Sequence, residues 1–182
     1  LLLAQSVDQV YDLDSTVVVA TRALKEIGIQ KNSLERVNLR DNIAYSLSEV
    51  LTQNSSIFIK SYGRATSSTA SLRGTSPSHT RVEWNGMKLN SPMLGMVDFS
   101  LIPSFFIDNA TIYHGSSSVG ISSGGFGGAI SLESTSKQNE PFSLEVIGGI
   151  GSFSTYNGFL RAGFSSERFQ STTKVAYNRS TN

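Results

Sequence analysis

The chain has 182 residues, a net charge of +1 and no cysteine, and only 16% of it is charged, against roughly 25% in a typical soluble domain. The charge balance by itself points to neither a nucleic acid nor an acidic partner, and the missing cysteine excludes a disulfide scaffold, a thiolate metal site and cysteine catalysis. Serine, threonine and 16 glycines fill the composition, which suits β structure with many turns or a surface that faces something other than bulk water. No apolar run is long enough for a transmembrane helix.

The elements follow in chain order. The start, Leu-Leu-Leu-Ala-Gln-Ser, resembles the end of a signal-peptide apolar region with Ala4 near a cleavage point. Residues 1–13 are therefore expected to be a leader. The stretch after it, Asp14 to Arg22, is a short β-branched run expected to act as a lone strand. Ser46 and Glu49 form the capping-box spacing for a helix with Leu47, Val50 and Leu51 as its apolar stripe. Ser56 to Tyr62 alternates Ile57 and Ile59 with polar neighbours, as a strand does. Asn85-Gly86 is a type I′ turn signal. It joins expected strands at His79–Trp84 and Met87–Leu89, with Val82 and Trp84 on one face. Phe106–Gly115 and Gly128–Ser134 are further strands. Short strands, one or two short helices and long polar loops make an α+β pattern, a small mixed sheet with a modest core.

The texture changes near Pro141. Phe142, Leu144, Val146 and Ile150 share one face of a ten-residue run, with Ser143, Glu145 and Ile147 on the other. Next, Tyr156, Leu160 and Phe164 oppose Asn157, Phe159 and Arg161. Last, Phe169, Val175 and Tyr177 oppose Gln170, Thr172, Lys174 and Asn178. Period-two segments of this length are what transmembrane β-barrel strands show; a soluble meander with one wet face shows it too. Three strands close no barrel, so the barrel interpretation expects most of its strands beyond Asn182.

Gly115 to Ser134 is the densest glycine cluster. A phosphate loop needs a Lys after its glycines, and a dinucleotide loop needs a third glycine and a following helix. Here Ile130 stands at that third position and a strand follows. Both phosphate readings fail, and the glycines are left a mechanical role: tight turns and close backbone approach. His79 and His114 have no histidine partner at helical spacing, so no metal site is expected. There is no Gly-x-Ser-x-Gly elbow for a hydrolase. Tyr62 and Arg64 are too sparse to stack nucleic-acid bases. Neither an enzyme nor a cofactor is expected.

The order of these features resembles the N-terminal part of a TonB-dependent outer-membrane receptor. Asp14–Arg22 resembles a TonB box, Ser46–Leu51 the plug's early helix, and Ala70–Asn90 the plug core with its Arg-Gly strand end and Asn-Gly hairpin. Ile107–Ser134 resembles the plug's last segment, although His114-Gly115-Ser116 stands where the family usually has Arg-Gly-Pro. The resemblance implies a TonB box at 14–22, an α+β plug domain at 23–137 and antiparallel transmembrane β-barrel strands at 138–182. The chain would then be an N-terminal fragment of a barrel of about 22 strands whose lumen the plug fills.

The resemblance also implies roles and partners. Asp14, Ser15, Thr16, Val17, Val18, Val19 and Ala20 would pair with TonB as an added strand. Arg73, Gly74, His114, Gly127 and Gly128 would meet the barrel wall, Arg73 facing wall carboxylates unless it is a solvated turn arginine. Substrate would touch the loops at Tyr62, Arg64 and Thr66 and at Met93, Leu94 and Met96; the last three would otherwise pack on the wall. The implied function is TonB-dependent uptake of a scarce solute, such as a metal chelate or cobalamin. The partners would be TonB with its inner-membrane complex, outer-membrane lipid, the solute and, in some receptors, a surface lipoprotein, but no nucleic acid. The alternative is a secreted, soluble β-rich adhesion module, which predicts solubility without detergent.

Overall fold

In the computed structural model, residues 30–35, 39, 46–63, 66–120, 124–135, 141–166 and 168–181 are described. The leader and Asp14–Arg22 lie outside them, as does Arg64. The one long enough helix signal is realised as α1 (Leu47–Asn54). Ser46 caps it: its hydroxyl accepts from Glu49 N while the Glu49 carboxylate accepts from Ser46 N. That box contributes about 1 kcal/mol, and Leu47, Val50 and Leu51 face inward, fully buried.

Three sheets follow. A hairpin pairs β2 (Phe58–Ser61) with β3 (Ser68–Ser71). The central sheet contains β1 (Lys31–Glu35), β4 (Thr80–Trp84), β5 (Met87–Lys88), β6 (Asn109–His114) and β7 (Gly128–Glu133), in the order β1-β6-β7-β4-β5. It is mixed, because β4 and β7 run parallel while the other neighbours are antiparallel. Asn85 and Gly86 take positive φ of 47° and 79° and join Trp84 to Met87 in a two-residue turn, as the Asn-Gly signal requires. The core cluster draws on this sheet, on α1 and on the segments beside them: Leu51, Leu72, Val82, Phe99, Ile107, Ile112, Ile130 and Leu132 are all buried.

Several strands are shorter than the alternation suggests: β2 covers Phe58–Ser61 of the expected Ser56–Tyr62, and β5 Met87–Lys88 of the expected Met87–Leu89. Pro77–His79 forms a 3-10 turn, so β4 starts at Thr80. Ser104–Phe106 forms another, so β6 starts at Asn109 and ends where Gly115 opens a third.

The last three strands form a separate antiparallel sheet: β8 (Phe142–Gly151), β9 (Thr155–Ser165) and β10 (Gln170–Arg179), with β9 in the middle. Phe142, Leu144, Val146, Ile150, Tyr156, Phe164, Val175 and Tyr177 are all exposed on one face. An apolar face left bare over three long strands suits lipid, not water. No described helix is long and apolar enough to cross a membrane.

Candidate functional site

The polar faces of the three strands meet in one row. Glu145 of β8 is opposite Arg161 of β9, and Arg161 is opposite Lys174 of β10. This row faces the N-terminal part of the chain, and the contact it makes there centres on Asp108. Asp108 precedes β6, and its backbone N donates to Glu133 O at 2.8 Å, which ties it to the end of β7. Arg161 Nη1 lies 3.1 Å from Asp108 Oδ1, and Lys174 Nζ lies 2.8 Å from Oδ2. The side chains are only 5–7% exposed. Each cation also caps a carbonyl of the N-terminal part: Arg161 Nη2 donates to Thr135 O at 2.9 Å and Lys174 Nζ to Phe106 O at 3.0 Å. Thr135 N donates to Asp108 Oδ2 at 2.9 Å, and beside the cluster the Phe105 and Phe159 rings pack with centroids 5.2 Å apart. A buried carboxylate held by two cations and a backbone N–H is well satisfied. It fastens the β6–β7 end of the central sheet to β9 and β10.

Asp108 was not singled out from the sequence. The available signal was the pair of cations: Arg161 and Lys174 on a polar strand face need an anion, and Asp108 sits near the start of an expected strand.

The five residues expected at the wall gather around the β6–β7 connection, away from the contact with β8–β10. Arg73 and Gly74 are exposed at φ 55° and 71°. The Arg73 guanidinium lies over Gly115 and beside the half-buried His114. Burial, and then the Arg73 charge, hold the His114 imidazole below its ordinary pKa. Gly127 and Gly128 are buried. A Cβ on Gly127 would strike Thr75, and one on Gly128 would strike Tyr113 O and Leu72. The contact with β8–β10 is thus made through Asp108, Phe105 and the two carbonyls, while these five residues gather around the β6–β7 connection.

The two expected substrate loops are clamped together at their base. Asp98 Oδ1 accepts from Ser68 N at 2.9 Å, Ser100 N at 3.0 Å and Ser100 Oγ at 2.7 Å. Burial pushes the Asp98 carboxyl up, but the bonds from Ser68 and Ser100 outweigh it and hold it below the usual value. Tyr62 is exposed with Lys60 Nζ 4.9 Å from its ring centroid, and exposed Thr66 donates to Gly63 O at 2.7 Å. Met93 and Leu94 are exposed at the second loop's tip, Met93 to 94%, and Met96 is half-buried. No group of metal-ligating side chains occurs among the described residues.

Comparison with known proteins agrees with this architecture. Residues 23–129 match the family model of the TonB-dependent Receptor Plug Domain. The chain is 31% identical over 120 residues to the vitamin B12 transporter BtuB of Photobacterium profundum, covering 66% of this chain and 19% of that protein. Among solved structures it is similar to the pyoverdine outer membrane receptor FpvA of Pseudomonas aeruginosa PAO1, with a TM-score of 0.68, 18% identity, and 84% of this chain and 22% of that one covered. It is also similar to the ferric-catecholate import receptor Fiu of E. coli K12, with a TM-score of 0.64, 16% identity, and coverages of 84% and 21%. The two structural likenesses speak for the fold.

Proposed function

Because the chain belongs to the TonB-dependent receptors, as their plug domain followed by the first barrel strands, we propose that it serves the energised uptake of a scarce solute. The protein resides in the outer membrane. The single observation that carries the proposal is the Asp108–Arg161–Lys174 cluster. It seats a folded plug on the polar face of a sheet whose opposite face is bare and apolar. A lumen closed in this way needs work to open.

That work enters through Asp14–Ala20, which pairs with TonB as an added strand; main-chain hydrogen bonds supply the affinity, so β-branched Val17, Val18 and Val19 suit it. The solute docks on the loops bearing Tyr62, Arg64 and Thr66 and Met93, Leu94 and Met96. Arg73, Gly74 and His114, with the close-packed Gly127 and Gly128 behind them, face wall strands beyond the three described. A surface lipoprotein is a further partner in this scheme. The relatives are named for vitamin B12, pyoverdine and ferric catecholates, and a metal chelate or a cobalamin is the solute class proposed here.

Val18→Pro in the full-length receptor tests the proposal, since proline removes a donor from the added strand. The expected outcome is lost accumulation of solute with surface binding unchanged. Normal accumulation in that variant would remove Val18 from the paired strand.

A further inference from the structure

The bare apolar face of β8–β10 changes character along its strands. Register sorts it into rows. Phe142 and Phe164 stand opposite each other in the row at one end, while Ile150, Tyr156 and Arg179 share the row at the other. Tyr177 lies one row inward, two residues before Arg179 on the same face. Aliphatic Val146, Leu160 and Val175 form the middle row. Phenylalanine thus marks one end and tyrosine the other. Arg179 is the one charged residue that the three strands, among the described residues, place on this face.

The spacing of the end rows sets the depth of Arg179. They are eight residues apart on β8 and on β9, or about 27 Å along a strand at about 3.4 Å per residue. A strand tilted by about 40° rises about 21 Å over that length, against about 25 Å for the apolar band of a transmembrane barrel. With the phenylalanine row at one membrane interface, the Tyr156–Arg179 row therefore reaches the other. A guanidinium is costly at the bilayer midplane and tolerated near the interface, and the groups it meets at that depth are lipid headgroups.

Arg179 is also held in place. Thr155 Oγ1 and Ser180 Oγ are 3.1 Å apart, and Thr181 N donates to Phe153 O at 3.1 Å, so the residues after Arg179 are tied to the β8–β9 turn. Tyr156 is directly opposite Arg179, which puts their Cβ atoms about 5 Å apart. Tyr177 is about 7 Å away along the strand. One guanidinium and two phenolic hydroxyls, all on exposed side chains, thus lie within reach of a single acceptor group. A guanidinium grips a phosphate through two parallel N–H···O bonds, and each tyrosine hydroxyl adds a donor.

We propose that Arg179, with Tyr156 and Tyr177, binds the phosphate of an anionic membrane lipid whose acyl chains lie along the apolar rows toward Leu160 and Val175. The site is on the face of the sheet opposite the Asp108 contact, and it involves neither the solute nor the energising partner.

The test uses the full-length receptor in dodecyl maltoside, with the photocrosslinker p-benzoylphenylalanine in place of Ile150, which is exposed on the row of Arg179. Two labelled probes differ only in the phosphate: phosphatidic acid and a diacylglycerol with the same acyl chains. Capture on irradiation is measured with Arg179 intact, in Arg179→Gln, and in Arg168→Gln, an exposed arginine between β9 and β10 at the opposite end. The expected result is capture of phosphatidic acid in preference to diacylglycerol. Arg179→Gln should lower it about tenfold, and Arg168→Gln should leave it unchanged. Equal capture of the two lipids, capture of neither, or undiminished capture in Arg179→Gln would overturn the proposal. So would an equal loss in Arg168→Gln, or displacement of the lipid by an equal concentration of inorganic phosphate.

Discussion

Asp108→Asn removes one charge from a site where two cations converge. Each cation–carboxylate contact is 2.8–3.1 Å long, and two unit charges about 3 Å apart attract by about 5 kcal/mol at an effective dielectric of about 20. Desolvation offsets much of that while the cluster is intact. Once the carboxylate is gone, Arg161 and Lys174 keep their bonds to the Thr135 and Phe106 carbonyls, which are neutral and do not replace the Asp108 charge. Breaking a buried pair from one side costs about 3–5 kcal/mol. The plug, not the barrel, should register the loss. In the full-length receptor, limited proteolysis should cut the plug of Asp108→Asn much faster, and the outer membrane should leak a large antibiotic. Adding Lys174→Met should restore part of the protection, because it withdraws one of the two cations that faced Asp108. A plug equally protected in native and Asp108→Asn receptors, with no coupling to Lys174→Met, would refute the reasoning.

Two further predictions concern the β6–β7 connection. Gly128→Ala forces a Cβ against Tyr113 O at a φ of 147°, and should destabilise the plug by about 1–3 kcal/mol, read as earlier thermal melting with solute affinity otherwise kept. His114 titrates below its ordinary value of 6.5 in the folded plug, so below 6.5 the unfolded chain binds more protons than the folded one. Its contribution is full above 6.5 and fades as pH falls, and His114→Asn should flatten the fall in protease protection over that acid range.

Local chemistry was legible in the sequence wherever one short stretch decides the outcome. Ser46 and Glu49 cap α1, Asn85-Gly86 turns the β4–β5 hairpin, and strict alternation lays out β8 to β10. The glycine cluster failed as a phosphate loop on residue type, and at Gly127 and Gly128 the backbone does run against Thr75 and Tyr113. What was not legible depends on partners distant in sequence. β1 is Lys-Asn-Ser-Leu-Glu, with Leu34 its one core residue; it is a strand because β6 offers an edge, not because of propensity. The parallel β4–β7 pairing joins residues far apart in the chain, from Thr80 with Gly128 to Trp84 with Leu132. Asp108 looks like any strand-flanking aspartate until the fold sets it 3.1 Å from Arg161 and 2.8 Å from Lys174.

The most direct test of energised uptake is accumulation of a labelled solute by cells carrying the full-length receptor, measured with the proton gradient intact and then collapsed by a protonophore. The account predicts surface binding in both states and accumulation only with the gradient. Equal accumulation in both would contradict it.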